Sequence, residues 1–179
     1  MKFIVYFSFF LTLLLFTFSE RANSALDKAV LDGLDDVYNL KFETAESKFK
    51  QLQKSNPNDL KGFFYESLLY FYKALPSRDD KLFNKYIELS DNVIEKAEDN
   101  LDRDENDYDA LYYKGLSHSY RSLLMLSLNK SLLKAASNGN DGYRILSTLI
   151  EKKPDYYDAY IGLGLYKIAI GFVPEKYQW

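Results

Sequence analysis

From Leu26 onward, apolar residues recur three and four positions apart, and no stretch alternates apolar with polar long enough to build a sheet. The folds open to such a chain are all-α. Leu26 to Leu40 reads as a first helix, and Phe42, Ala45, Phe49 and Leu52 mark the inner stripe of a second that stops at Asn56-Pro57. Asp59 is placed to cap a third, through Phe63, Phe64, Leu68 and Phe71 to Leu75, with Pro76 expected to end it. Asp79 or Asp80 opens a fourth, with Phe83, Ile87 and Ile94 inward. A fifth spans Tyr108 to about Leu128. Lys130 to Lys153 makes a sixth, in which Asn138-Gly139-Asn140-Asp141-Gly142 is either a break or a close-packed small face. A seventh runs from Asp155 to about Phe172 and is stopped by Pro174. Seven helices with short connections predict antiparallel hairpins.

The N-terminus has a different character. Lys2 gives a positive start, Phe3 to Phe18 form an apolar run, and Ala22-Asn23-Ser24-Ala25 supplies the small residues a signal peptidase requires. Sixteen residues, broken only by Ser8, Thr12 and Thr17, are short of the roughly 20 that span a bilayer. Residues 1–25 are therefore read as an export signal, with an uncleaved anchor as the alternative, and 26–179 as one domain lying beyond a membrane, in the periplasm, cell envelope or medium. Membrane contact is expected only through this segment.

The formal net charge of −3 argues against nucleic acid, which is normally met by a basic face. The absence of cysteine excludes disulfides, thiolate metal sites and a Cys nucleophile. Sixteen Tyr and 13 Phe imply that helices meet through rings, Tyr packing while its hydroxyl stays wet.

The chain echoes itself. At an offset of 49, Tyr108-Asp109-Ala110 falls on Tyr157-Asp158-Ala159, and Gly115-Leu116 on Gly164-Leu165. At an offset of 48, Gly62, Phe63 and Ser67 precede Ala110, Leu111 and Gly115 in the same small-large-small order. These residues resemble the tetratricopeptide family, whose pattern is W-x2-L-G-x2-Y, then A-x3-F, then P. Tyr160-x2-Leu163-Gly164 matches the first part with Tyr for Trp, Ala45-x3-Phe49 matches the second, and Pro57 follows in place. The period departs from the family's, which is about 34 residues, and Glu105 and His118 replace family residues in the middle unit. The resemblance is to a divergent, long-helix branch of envelope and outer-membrane type, over about residues 30 to 179. It implies stacked helical hairpins forming a solenoid with a concave groove.

Catalytic and metal patterns fail on inspection. His118 lies in Gly115-Leu116-Ser117-His118-Ser119, which lacks the second Gly and the preceding strand of a nucleophile elbow. Asp102, Asp104 and Asn106 alternate as in a calcium loop, but Asp107 and Tyr113 occupy the positions that need Gly and Glu. Gly162-Leu163-Gly164 sits inside a helix and has Lys167 where a dinucleotide fingerprint needs Gly. No catalytic residue, cofactor or metal is expected.

The function expected is binding of a protein or peptide in the groove. The resemblance places Lys61, Phe64, Asp109, Tyr112, Asp158 and Ile161 on it. A helical small-molecule carrier, or an envelope enzyme with an unrecognised site, is the alternative. The last helix carries Tyr160, Leu163, Leu165, Ile168 and Ile170 around most of its circumference, so the chain is expected to continue into a longer array or to self-associate there.

Overall fold

The computed structural model describes residues 26–171, apart from the side chains at 165, 168, 169 and 171. Residues 1–25, expected to be an export signal, and Pro174 lie outside the described residues. Within them the chain is all-α: seven helices and no strand, with α1 over residues 26–38, α2 (Phe42–Ser55), α3 (Lys61–Ser77), α4 (Asp80–Arg103), α5 (Tyr108–Ser127), α6 (Leu132–Lys152) and α7 (Tyr157–Gly171).

Short polar side chains set the helix starts. Asp79 accepts from the N–H of Lys81 at 2.6 Å and of Leu82 at 3.3 Å. Asp107 accepts from Ala110 N–H at 2.9 Å, and Ser131 from Lys134 N–H at 3.3 Å. Each meets a donor that the first helical turn leaves free. Asp59 does the same for α3 from one residue further out, accepting from Lys61 N–H at 2.7 Å.

The turns come in two kinds, one at each end of the helices. After α1 and α5 the chain closes with the same pair of bonds: Lys41 N–H to Asp36 carbonyl and Leu40 N–H to Val37 carbonyl, then Lys130 to Met125 and Asn129 to Leu126. Leu40, Arg78 and Asn129, in the turns after α1, α3 and α5, are all left-handed, with φ of 60°, 55° and 54°. At the other end the turns after α2, α4 and α6 are again alike. Asp59 N–H bonds Asn56 carbonyl, Asp107 bonds Asp104 and Tyr156 bonds Lys153, all at 3.0–3.1 Å. These turns stand at the 48- and 49-residue offsets seen in the sequence, so the echo is carried by backbone conformation as well as by residue type.

From α2 to α7 each helix packs on the next, and α3 also touches α5 as α5 touches α7. The odd-numbered helices from α3 onward therefore lie side by side. Three buried clusters run through the stack. Val37, Ala45, Phe49 and Leu69 join α1 to α3. Phe64, Leu68, Phe71, Tyr86, Val93, Tyr113 and Leu124 join α3 to α5. Leu111, Ile145, Leu146, Leu149, Ala159 and Leu163 join α5 to α7. Rings dominate the middle cluster, with Phe64 5.1 Å from Tyr113 and Phe71 5.1 Å from Tyr120, centroid to centroid.

One expectation needs correction, and the structure completes two others. Pro76 does not end α3. It sits exposed in the last turn, where its missing N–H deletes one helical bond, and the helix stops at Ser77 because Arg78 turns left-handed. The inner stripe of α4 is Tyr86, Ser90, Val93 and Ala97, with Phe83, Ile87 and Ile94 half-buried beside it. The hydroxyls of Tyr86 and Ser90 disguised that stripe. The glycine-rich stretch of α6 does not break the helix: Gly142 is buried where a Cβ would lie 2.9 Å from Gly115 carbonyl, so small residues let α6 close on α5.

Candidate partner-binding face

The starts of α1, α3, α5 and α7 meet at one end of the molecule and bring acidic residues together, because a helix N-terminus favours negative charge. Lys61 Nζ pairs with Asp27 across α3 and α1 at 2.7 Å. Burial alone would lower the Lys61 ammonium's pKa; the Asp27 hydrogen bond and the charges of Asp59, Asp27 and Asp109 outweigh this and hold it above its ordinary value. Burial raises the Asp59 carboxyl, opposed by the Lys61 N–H and ammonium, and the charges of Asp109 and Asp27 add to the rise.

Tyrosines fill the space between these carboxylates. Tyr112 packs 5.1 Å from Tyr113 on one side and 5.1 Å from Tyr156 on the other, and Tyr113 is 6.5 Å from Tyr65. The Tyr156 hydroxyl donates to Asp109 at 2.7 Å, tying the turn before α7 to α5. Burial raises the hydroxyls of Tyr65, Tyr112 and Tyr156 above their usual range, and Asp158 adds to the rise in all three. Tyr65, Tyr112 and Tyr156 are half-buried beside exposed Asp27, Asp109 and Asp158.

Of the six residues expected on the groove, five reach solvent. Lys61 is half-buried and ion-paired, Asp109 and Asp158 are exposed, Tyr112 is half-buried, and Ile161 is 66% exposed on α7. Phe64 is the exception: at 3% exposure it belongs to the core against Tyr65, Tyr113 and Tyr120, because α5 closes over it. Asp27, Tyr65 and Tyr156 were missed. Tyr156 stands just before its helix, where a periodic pattern says nothing.

Two hollows mark the surface, the smaller beside this face. One of about 170 Å³ lies among Asn58, Asp59, Leu60, Asn100, Asp107, Asp109 and Tyr113, and a shallow one of about 530 Å³ runs along α2 among Glu43, Glu46, Ser47, Lys50, Gln51 and Lys54. Tyr113 is the one ring lining either, so neither offers the aromatic interior a small-molecule carrier would use. His118 is half-buried in α5. Burial pulls its pKa below the ordinary value, against a hydrogen bond between its Nδ1 and Asn138 Oδ1 at 3.1 Å. Asp104 accepts from Asn106 N–H at 2.9 Å, and Asn106 Oδ1 accepts from Lys152 at 3.2 Å, so the acidic stretch is a hydrogen-bonded turn. Among the described residues no group of three or more His, Cys, Asp or Glu is placed to hold a metal ion.

No family model, curated protein or solved structure matches this chain.

Proposed function

We propose that the chain is an exported helical-repeat scaffold of tetratricopeptide type that binds a protein or peptide partner on the face shared by α1, α3, α5 and α7. The partner segment is basic. The observation that carries this reading is the row of half-buried Tyr65, Tyr112 and Tyr156 set among Asp27, Asp109 and Asp158, relieved by Lys61, which Asp27 already pairs. Tyrosine offers large, rigid contact area at low entropic cost, and rings beside carboxylates attract lysine and arginine. The recurring turns and the contacts of α3 with α5 and α5 with α7 support a repeat whose odd-numbered helices form one side. Export rests on the sequence of residues 1–25 alone.

Site-specific photocrosslinking in the expressing cell tests it. A photoreactive residue at 112 or 158 should trap the same discrete partner, while one at exposed Asp99 on α4 should not. Equal labelling from all three positions, or none from any, defeats the reading.

A further inference from the structure

The end of the molecule opposite the acidic face, formed by the turns after α1, α3 and α5, holds leucines out in solvent. Leu40 is 72% exposed in the turn after α1, and Leu133 is 74% exposed in the first turn of α6. Their positions face outward wherever they occur in the stack. Arg78 is the left-handed residue of the middle turn as Leu40 is of the first, and it is exposed although a turn stands on either side. Asn84 holds the place of Leu133 one unit earlier, in the register that sets buried Tyr86, Ser90, Val93 and Ala97 of α4 on buried Ala135, Gly139, Gly142 and Leu146 of α6. Asn84 is exposed too, with the next hairpin in place. Leucine is also costly for the backbone at Leu40. Its φ of 60° suits asparagine, which takes the same conformation at Asn129 in the turn after α5. Strain kept at one exposed apolar residue points to a use there.

We infer that this end docks on an anionic lipid surface, with Leu40 and Leu133 entering its interfacial layer. The three turns form one ridge: the Tyr38 and Tyr72 rings are 6.1 Å apart across α1 and α3, and Lys130 pairs with Asp80 at 2.5 Å across the turns after α5 and α3. Arg78 and Lys81 stand on the turn between the two leucines, which therefore form no single apolar groove for a protein to fill. A lipid surface admits each leucine by itself. Charge selects the lipid. Asp36 is taken by Lys48 at 2.5 Å, Asp79 by the N–H groups it caps and Asp80 by Lys130, which leaves Asp35 and Glu43 as the open carboxylates. Against these, Arg78, Lys81 and Lys134 are exposed and have no ion pair among the described residues, and Lys41 comes no nearer than 4.0 Å to Asp36. Such cations are drawn to anionic headgroups. Docked in this way, the molecule turns its acidic face away from the membrane. The two ends share no residue, so either role can fail without the other.

The chain has no cysteine, so Asn84→Cys and Asp99→Cys each accept a single fluorescent label, towards opposite ends of α4. Protein purified from the expressing cell and labelled at one or the other is mixed with vesicles of phosphatidylglycerol and phosphatidylcholine carrying a spin-labelled lipid. The label at 84 should be quenched and the label at 99 spared. Leu40→Asn and Leu133→Asn should each weaken vesicle affinity at least about fivefold with unchanged helicity by circular dichroism, since both side chains are exposed. Lys81→Glu with Lys134→Glu should weaken it at least about tenfold, and so should vesicles of phosphatidylcholine alone. No quenching at 84 overturns the inference and assigns the leucines to a protein partner. Quenching at 99 as strong as at 84 or stronger, affinity that both leucine variants leave intact, or equal affinity for phosphatidylcholine alone overturns it as well.

Discussion

Leu146 of α6 occupies the space a side chain on Gly115 of α5 would need, for a Cβ there would stand 2.7 Å from Leu146 Cγ. The same leucine closes on Gly162 of α7, where a Cβ would stand 2.7 Å from its Cδ1. One fully buried side chain thus keys three consecutive helices together, and two glycines of different helices make room for it. Gly164 has the repeat position of Gly115 and no such neighbour.

That contrast predicts opposite outcomes for one substitution. Gly115→Ala should lower stability by about 1–3 kcal/mol, since overpacking against a fixed leucine outweighs the better helix propensity. Gly164→Ala in dilute solution should raise it by about 0.4–1 kcal/mol. Urea unfolding followed by circular dichroism reads both, and equal effects would show that Leu146 does not set the spacing.

Capping gives a second prediction. Asp107→Ala removes the acceptor for Ala110 N–H and should cost about 1 kcal/mol, whereas Asp99→Ala, an exposed change in the body of α4, should stay within about 0.5 kcal/mol. Loss of equal size at both positions would remove the cap from the account.

How far the sequence reveals the structure depends on which residues do the work. Helix ends are legible where Asn56-Pro57 and Asp79 act locally, through their own dihedrals and nearest N–H groups, whereas the pattern starts α6 at Lys130, one position before its cap Ser131. The repeat is legible because Gly62, Ala110 and Ala159 must be small wherever a neighbouring helix comes close. The inner stripe of α4 was not legible, since Ser90 is buried only because Arg121 of α5 donates to it at 2.6 Å. The positions expected on a groove do not share one environment. Phe64, Tyr112 and Ile161 share one repeat position yet are buried, half-buried and exposed, and that gradient follows from what packs on each helix.

His118 supplies a pH dependence. Its folded-state pKa lies below the ordinary 6.5, so folding favours the neutral ring. That contribution is complete above the unfolded pKa and is lost as pH falls through the folded value. Stability measured from about pH 7 to about pH 5 should therefore fall, and His118→Gln should flatten part of the slope. An unchanged slope in the variant assigns the dependence to the carboxylates instead.

The acidic face is tested most directly by nuclear magnetic resonance titration of the protein with a short peptide of alternating lysine and leucine. Shifts are expected to concentrate at Asp27, Lys61, Tyr65, Asp109, Tyr112, Tyr156 and Asp158. The affinity should fall as salt rises, and Asp109→Asn with Asp158→Asn should weaken it by a factor of about 5 or more. Binding that leaves these residues unmoved and shifts α4 or α6 instead, or no binding at low salt, would contradict the account.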